Sequence, residues 1–226
     1  MRAIDRGCLW AGIAAPLVLA VASLVAGRLQ PSYSHLHQFI SELGASGARY
    51  GAVMNYGGLI PAGALTLLFA LAMYRGTKGH LALRGSSVLV ALIGIGRSGA
   101  GFFSCDPGCS MAAMSPDAQL HVAFGLLAFG SGVFAPLLFA WGIRRQGRGP
   151  LFWLSLTVGL LSAVLVPVLF RGSPGTPYAG TLQRSLLVLA YGWIVAVALA
   201  LGAGHRETAV TTADRAKSAA ARRFNR

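Results

Sequence analysis

Six apolar stretches separated by polar gaps organise this chain, at residues 8–26, 51–74, 85–104, 118–142, 151–170 and 185–204. A helix rises about 1.5 Å per residue, so about 20 apolar residues cross the hydrocarbon core of a bilayer. A lipid-embedded backbone must satisfy its own polar groups, and no stretch alternates as a barrel strand does. The pattern predicts an all-α fold, a polytopic membrane helix bundle with six transmembrane helices. The first gap is too long for a tight turn. Within it Leu36, Phe39, Ile40 and Leu43 recur at i, i+3, i+4 and i+7, which predicts a short interfacial helix lying apolar face down. Ser34 is placed to cap its start and Gly44 its end. His35, Gln38 and Glu42 share another stripe, read either as a solvated face or as one wall of an outward pocket.

Charge sets the orientation. Of 19 Lys and Arg residues, fourteen fall at the N-terminus, in the second and fourth gaps and in the tail. Arg28, Arg49, Arg171 and Arg184 fall on the opposite side, and Arg97 lies inside a span. The positive-inside rule then puts both termini in the cytoplasm of a bacterial inner membrane. Residues 1–204 form the transmembrane domain, and 205–226 a basic, flexible cytoplasmic tail. The net charge of +13 follows from that topology and from attraction to anionic headgroups at the cytoplasmic face. It is split among short loops, not gathered in one stripe, which argues against nucleic-acid binding. With 55% hydrophobic and 11% charged residues, a soluble core is excluded. The first stretch reads as an uncleaved helix, since it is long for a signal peptide and contains Pro16.

The third span carries Gly94-Ile95-Gly96-Arg97-Ser98-Gly99-Ala100-Gly101. This matches a dinucleotide-loop spacing, but no strand precedes it and no acidic partner follows. The small residues instead predict a close helix seam, Gly94 with Ser98 and Gly96 with Ala100. Arg97 lies about 10 Å below the outer end, where a cation costs about 2.5–3.5 kcal/mol on insertion scales. It should face the bundle interior and pair with a carboxylate, or snorkel outward. Of the six acids, Glu42, Asp106 and Asp117 are on the outer half, so Glu42 or Asp106 is the expected partner.

Cys105-Asp106-Pro107-Gly108-Cys109 places two thiols across a Pro-Gly turn on the oxidising side. A disulfide staple, a redox-active pair, or free thiols and a metal remain open there. Cys8 packs alone. His121, near the start of span four, reads as a hydrogen-bonded structural group or as a metal ligand or general base beside His35, Glu42 and Asp106. The last outer gap holds Pro174, Pro177 and Tyr178, and Gln183 and Arg184 open span six. A haem site would need histidines paired across helices, and only His121 is suitably placed.

Three clusters carry a family resemblance: Ile40-Ser41-Glu42-Leu43-Gly44-Ala45 followed by Met54-Asn55-Tyr56-Gly57; the run from Gly101 to Cys109 with Leu120-His121; and Thr181-Leu182-Gln183-Arg184. Together they resemble the domain of unknown function 998 family over residues 8–204. The resemblance implies a six-helix bacterial membrane protein and brings no established activity. Glu42 departs from the shorter Asp expected there, keeping the charge but changing the reach.

The topology places Glu42, Arg97, Asp106, His121, Gln183 and Arg184 near one leaflet although they come from separate segments. Intramembrane ionisable groups that meet mark a functional site by default. Three readings follow. One is a pocket that binds a lipid headgroup or small amphiphile. Another is a metal-assisted hydrolase of a lipid-like substrate, with a zinc ion on His35, Asp106 and His121 and Glu42 as base. The third is an assembly subunit whose polar network fixes helix register.

Overall fold

The computed structural model describes residues 3–77, 80–146, 149–171 and 177–224, with side chains from residue 7 to 203. Lys78, Arg148, Pro174 and the charged side chains before residue 7 and after residue 203 lie outside what is described. The six expected spans are present as α1 (Ala3–Leu29), α2 (Gly51–Gly76), α3 (Leu81–Phe102), α4 (Pro116–Ile143), α5 (Pro150–Arg171) and α6 (Ala179–Phe224). Each holds a window long and apolar enough to cross a membrane. This is a multi-pass membrane protein.

Each helix packs against its neighbour in sequence, and α6 closes the ring against both α5 and α1. Large apolar side chains point away from the bundle, among them Leu17, Val164 and Val188 at 61%, 64% and 72% exposure. That outward greasiness is the reverse of a soluble fold and suits lipid as solvent. Trp10, Trp141 and Trp153 are exposed at one common end, where Arg144 stacks on Trp141, as in an interfacial aromatic belt. The centre is mixed. Trp193 of α6 donates to Ser155 Oγ at 2.9 Å and meets Phe139 edge-on at 5.7 Å, while Ser86 ties α3 to the Ala135 carbonyl of α4 at 2.8 Å.

The glycine-rich third span is a seam on two sides. A Cβ on Gly94 would sit 2.8 Å from the Gly63 carbonyl of α2, and one on Gly96 would sit 2.5 Å from the Phe124 carbonyl of α4. The seam is thus split between two neighbours, because residues two apart on a helix face different ways. Ser98 adds a hydrogen bond to the Ile60 carbonyl at 3.3 Å. Early in α2, Asn55–Leu59 form one π turn just ahead of Pro61, whose missing N–H disturbs the regular ladder.

The expected short helix of the first outer loop is present as a 3₁₀ helix, Ile40–Gly44, ending at Gly44 as expected but starting later than the spacing from Leu36 implied, and Leu36 is 56% exposed. The reason is competition for backbone groups: the Ile40 N–H goes to the Gln183 side chain of α6 at 2.6 Å, and the Leu36 carbonyl accepts from Thr181 N–H at 3.0 Å. Ser34 does not cap with its hydroxyl. Its own N–H donates to Gln38 Oε1 at 2.8 Å.

Candidate functional site

The first turns of α6 grip this loop through Thr181, Gln183 and Arg184, and Arg184 is the hub. Its Nη1 donates to the Gln38 carbonyl at 2.9 Å and the Gly180 carbonyl at 3.0 Å. Its Nη2 donates to Tyr33 Oη at 2.6 Å and His35 Nδ1 at 3.1 Å. The Tyr33 hydroxyl in turn donates to the Phe39 carbonyl at 2.9 Å. A guanidinium has no acceptor, so His35 Nδ1 must accept and its proton must sit on Nε2. Gly27 and Gly180 leave room for the clasp: a Cβ on Gly27 would lie 2.6 Å from the His35 ring, and one on Gly180 would lie 2.6 Å from the His35 carbonyl. Glu42 belongs to the same loop but serves it locally, accepting from Gln38 Nε2 at 2.9 Å and Phe39 N–H at 2.8 Å.

Burial, reinforced by the Arg184 charge, lowers the His35 pKa from its ordinary value of 6.5. Burial raises that of Tyr33, against the opposing pull of Arg184. For His35 the folded chain binds fewer protons than the unfolded chain below pH 6.5, so stability is lost as pH falls through that value. A charged His35 would also turn a donor against the donor of Arg184. Thermal stability should therefore drop between pH 7.5 and 5.5, and His35→Asn, whose amide oxygen accepts at every pH, should flatten that drop. An unchanged pH profile in His35→Asn would remove His35 as its cause. Asp106 acts in a different window: the Ser115 N–H, 2.8 Å from Oδ2, lowers its pKa from 3.8, so its contribution fades only at stronger acid.

The other expected site residues lie in two further places. Cys105 and Cys109 form a disulfide with Cα atoms 5.0 Å apart, around Gly108 with φ +72°. His121 turns its Nδ1 to the carbonyls of Ala100 and Phe103 at 2.9 and 2.8 Å, so it ties α4 to the exit of α3. A crevice of about 70 Å³ beside it is lined by the disulfide, His121, Phe129, Phe170 and Gln183. Of the three expected metal ligands, His35 is held by Arg184, Asp106 by Ser115 and His121 by the carbonyls of Ala100 and Phe103. Among the described residues no group of three His, Cys, Asp or Glu side chains is placed to hold a metal ion.

Arg97 faces the interior, as expected for an intramembrane cation, and is 8% exposed. The expected ion pair with Glu42 or Asp106 does not form; both carboxylates are committed to backbone N–H groups. The guanidinium carbon instead lies 5.5 Å from the Phe129 ring centre and 6.0 Å from that of Tyr191. Aromatic faces offset part of the charge burial without a counter-ion.

A model of the family described as protein of unknown function (DUF998) matches residues 13–200. The chain belongs to this family. No curated protein and no solved structure matches it. In this DUF998 member a long groove of about 500 Å³ runs between α1 and α6, along Leu19, Leu24, Leu187, Val188 and Val195, with His35 and Arg184 at one end. Arg184, Leu187, Val188, Tyr191 and Val195 recur at helical spacing on one face of α6, a signal the sequence held. Asn55, which bridges the Gly44 carbonyl and Ser104 Oγ at 2.9 and 3.1 Å, also escaped sequence reasoning as a functional position. As a polar residue opening an apolar span, it was visible.

Proposed function

We propose that this protein binds an anionic membrane lipid, or an amphiphile of that kind, in the groove between α1 and α6. What carries the reading is the groove itself: an open furrow of about 500 Å³ with apolar walls, ending at a cation. The Arg184 fork is satisfied entirely by neutral acceptors. No carboxylate is bonded to it, although Glu42 is near enough to act on the same Tyr33 hydroxyl, so the cation at the mouth attracts an anionic headgroup electrostatically while acyl chain fills the space below. Small residues make the space: Ala20, Ser23 and Gly192 are all on its walls. The distribution of basic residues supports a bacterial inner-membrane location with cytoplasmic termini and the groove mouth at the outer leaflet.

Gly192 gives a clean test, because a Cβ there meets nothing within 4 Å. Gly192→Leu should fill the groove without disturbing the bundle. Native mass spectrometry of the full chain released from membranes is expected to find co-purifying anionic lipid. Retention should fall by about tenfold in Gly192→Leu, equivalent to about 1.4 kcal/mol. Equal lipid occupancy in the two proteins would sink the reading.

A further inference from the structure

The groove between α1 and α6 has a length as well as a volume, and both measure its occupant. Gly27 of α1 lies against the His35 ring, level with the clasp that His35 shares with Arg184. From that end the two walls run antiparallel, α1 as far as Pro16 and α6 as far as Val195. The steps from Gly27 to Pro16 and from Arg184 to Val195 are eleven residues each, which is about 16 Å at about 1.5 Å per residue. Half of a hydrocarbon core of about 30 Å is about 15 Å, so the deep end falls near the bilayer midplane. An extended chain advances about 1.2 Å per bond, so this depth takes about 13 carbons of one acyl chain. The volume agrees. About 500 Å³ is room for about 17 methylenes at roughly the 30 Å³ of a water molecule, well short of the about 26 carbons in two such chains.

We infer that the groove reads the tail of its ligand and not the head: it seats one unbranched acyl chain of an anionic amphiphile to the depth of one leaflet. This rests on the lipid reading above and adds which part of the lipid is selected. The head meets little that could read its shape. A guanidinium carries five N–H donors, and Arg184 spends four of them on Gln38, Gly180, Tyr33 and His35. The paired N–H contacts that fit a phosphate or carboxylate are therefore taken, and what Arg184 offers at the mouth is charge. A second tail has no seat either. The cavity beside Arg97, which shares Leu187 and Tyr191 with the groove, holds about 10 Å³, no more than one water-sized sphere. The open side of the furrow leaves any second tail among the surrounding lipids, so one-tailed and two-tailed amphiphiles present the same chemistry to the walls.

The test is native mass spectrometry of the delipidated full chain in neutral detergent, with 1-acyl lysophosphatidylglycerols added at equal mole fraction in the micelle. Their chains run from about 8 to about 18 carbons, short of and beyond the length of the walls. Occupancy is expected to rise about tenfold up to about 13 carbons and then level off, because further methylenes leave the walls and meet only detergent. Gly192 stands eight residues below Arg184, about 12 Å or about 10 carbons down. Gly192→Leu should therefore spare the shortest chains and lower occupancy by the longest about tenfold. At about 14 carbons, myristate should match the lysophosphatidylglycerol within about twofold, and neutral monomyristoylglycerol should bind about fivefold more weakly, the worth of one charge. Dimyristoylphosphatidylglycerol should be held no more than about twofold better than its one-tailed counterpart, whereas a gain of about tenfold would mean that both tails are seated and would overturn the inference. Occupancy that is flat with chain length or still climbing at the longest chain overturns it too. So does an equal loss at every chain length in Gly192→Leu, or a tenfold spread between the two anionic heads, and in each of these cases the lipid reading stands. No occupancy by any of these amphiphiles sinks both. Should Gly192→Leu fail to fold, the wild-type chain series still decides.

Discussion

Gly96→Leu is expected to yield little or no monodisperse protein from membranes, the largest loss of any single change considered. A Cβ at this position would lie 2.5 Å from the Phe124 carbonyl oxygen, 2.7 Å from the Ala128 nitrogen and 2.9 Å from the Ala128 Cβ. Two of those three are backbone atoms of α4, which cannot turn aside as a side-chain tip can. The only relief is to move α3 away from α4, and those two helices share the most extensive packing in the bundle. Gly96→Ala isolates the sign of the effect. In an exposed helix interior Gly→Ala is stabilising by about 1 kcal/mol; here overpacking costs about 1–3 kcal/mol, so the net should be destabilising. Gly130 of α4, where a Cβ meets nothing within 4 Å, is the control, and Gly130→Ala should be neutral or stabilising. Size-exclusion profiles and thermal melts in detergent compare the three. A Gly96→Ala protein as stable as Gly130→Ala would mean the helices do not approach as closely as described.

The bundle was legible in the sequence because its determinants are local. Length and apolarity fix each span, and glycine spacing announces where helices touch. The disulfide loop was legible as a location, since its two thiols lie four residues apart, although its pairing was not fixed by spacing. The loop from Tyr33 to Gly44 was only partly legible. Its apolar positions follow helical spacing, but the partners that set its backbone lie at Thr181, Gln183 and Arg184, separated by 143 residues in the case of Ile40 and Gln183. Periodicity reports burial against a surface and says nothing of which distant side chain will claim a given N–H. Arg97 was half legible. Its depth and inward direction follow from the cost of a cation in lipid. A scarcity of acids suggested which carboxylate it would meet, but the fold surrounds it with Phe129 and Tyr191, residues that look in sequence like ordinary span packing. The six expected site residues accordingly fall into three neighbouring places, with Phe129 a wall of both the Arg97 cavity and the His121 crevice.

Arg184→Met should open the loop while leaving the six spans assembled. The substitution keeps an unbranched apolar stem beside the groove and removes four hydrogen bonds from one fork, to Tyr33, His35, Gln38 and Gly180. Hydrogen bonds to a charged donor contribute about 1.5–3 kcal/mol each, but this side chain is only half-buried, so water replaces part of the loss and about 3 kcal/mol is the expected total. Gln183 and Thr181 still hold Ile40 and Leu36, which is why the loop should loosen instead of detaching. The readout is maleimide labelling of a cysteine placed at Ser34, with Cys8 replaced by Ala. Labelling should rise by about tenfold in Arg184→Met, the factor that 1.4 kcal/mol of easier opening would give, and more if the whole loss falls on opening. Arg184→Lys should recover less than half of the protection, because an ammonium cannot span four acceptors arranged for a planar fork. Full protection by lysine would show that charge alone holds the clasp, and undisturbed labelling in Arg184→Met would show that Gln183 and Thr181 suffice without it.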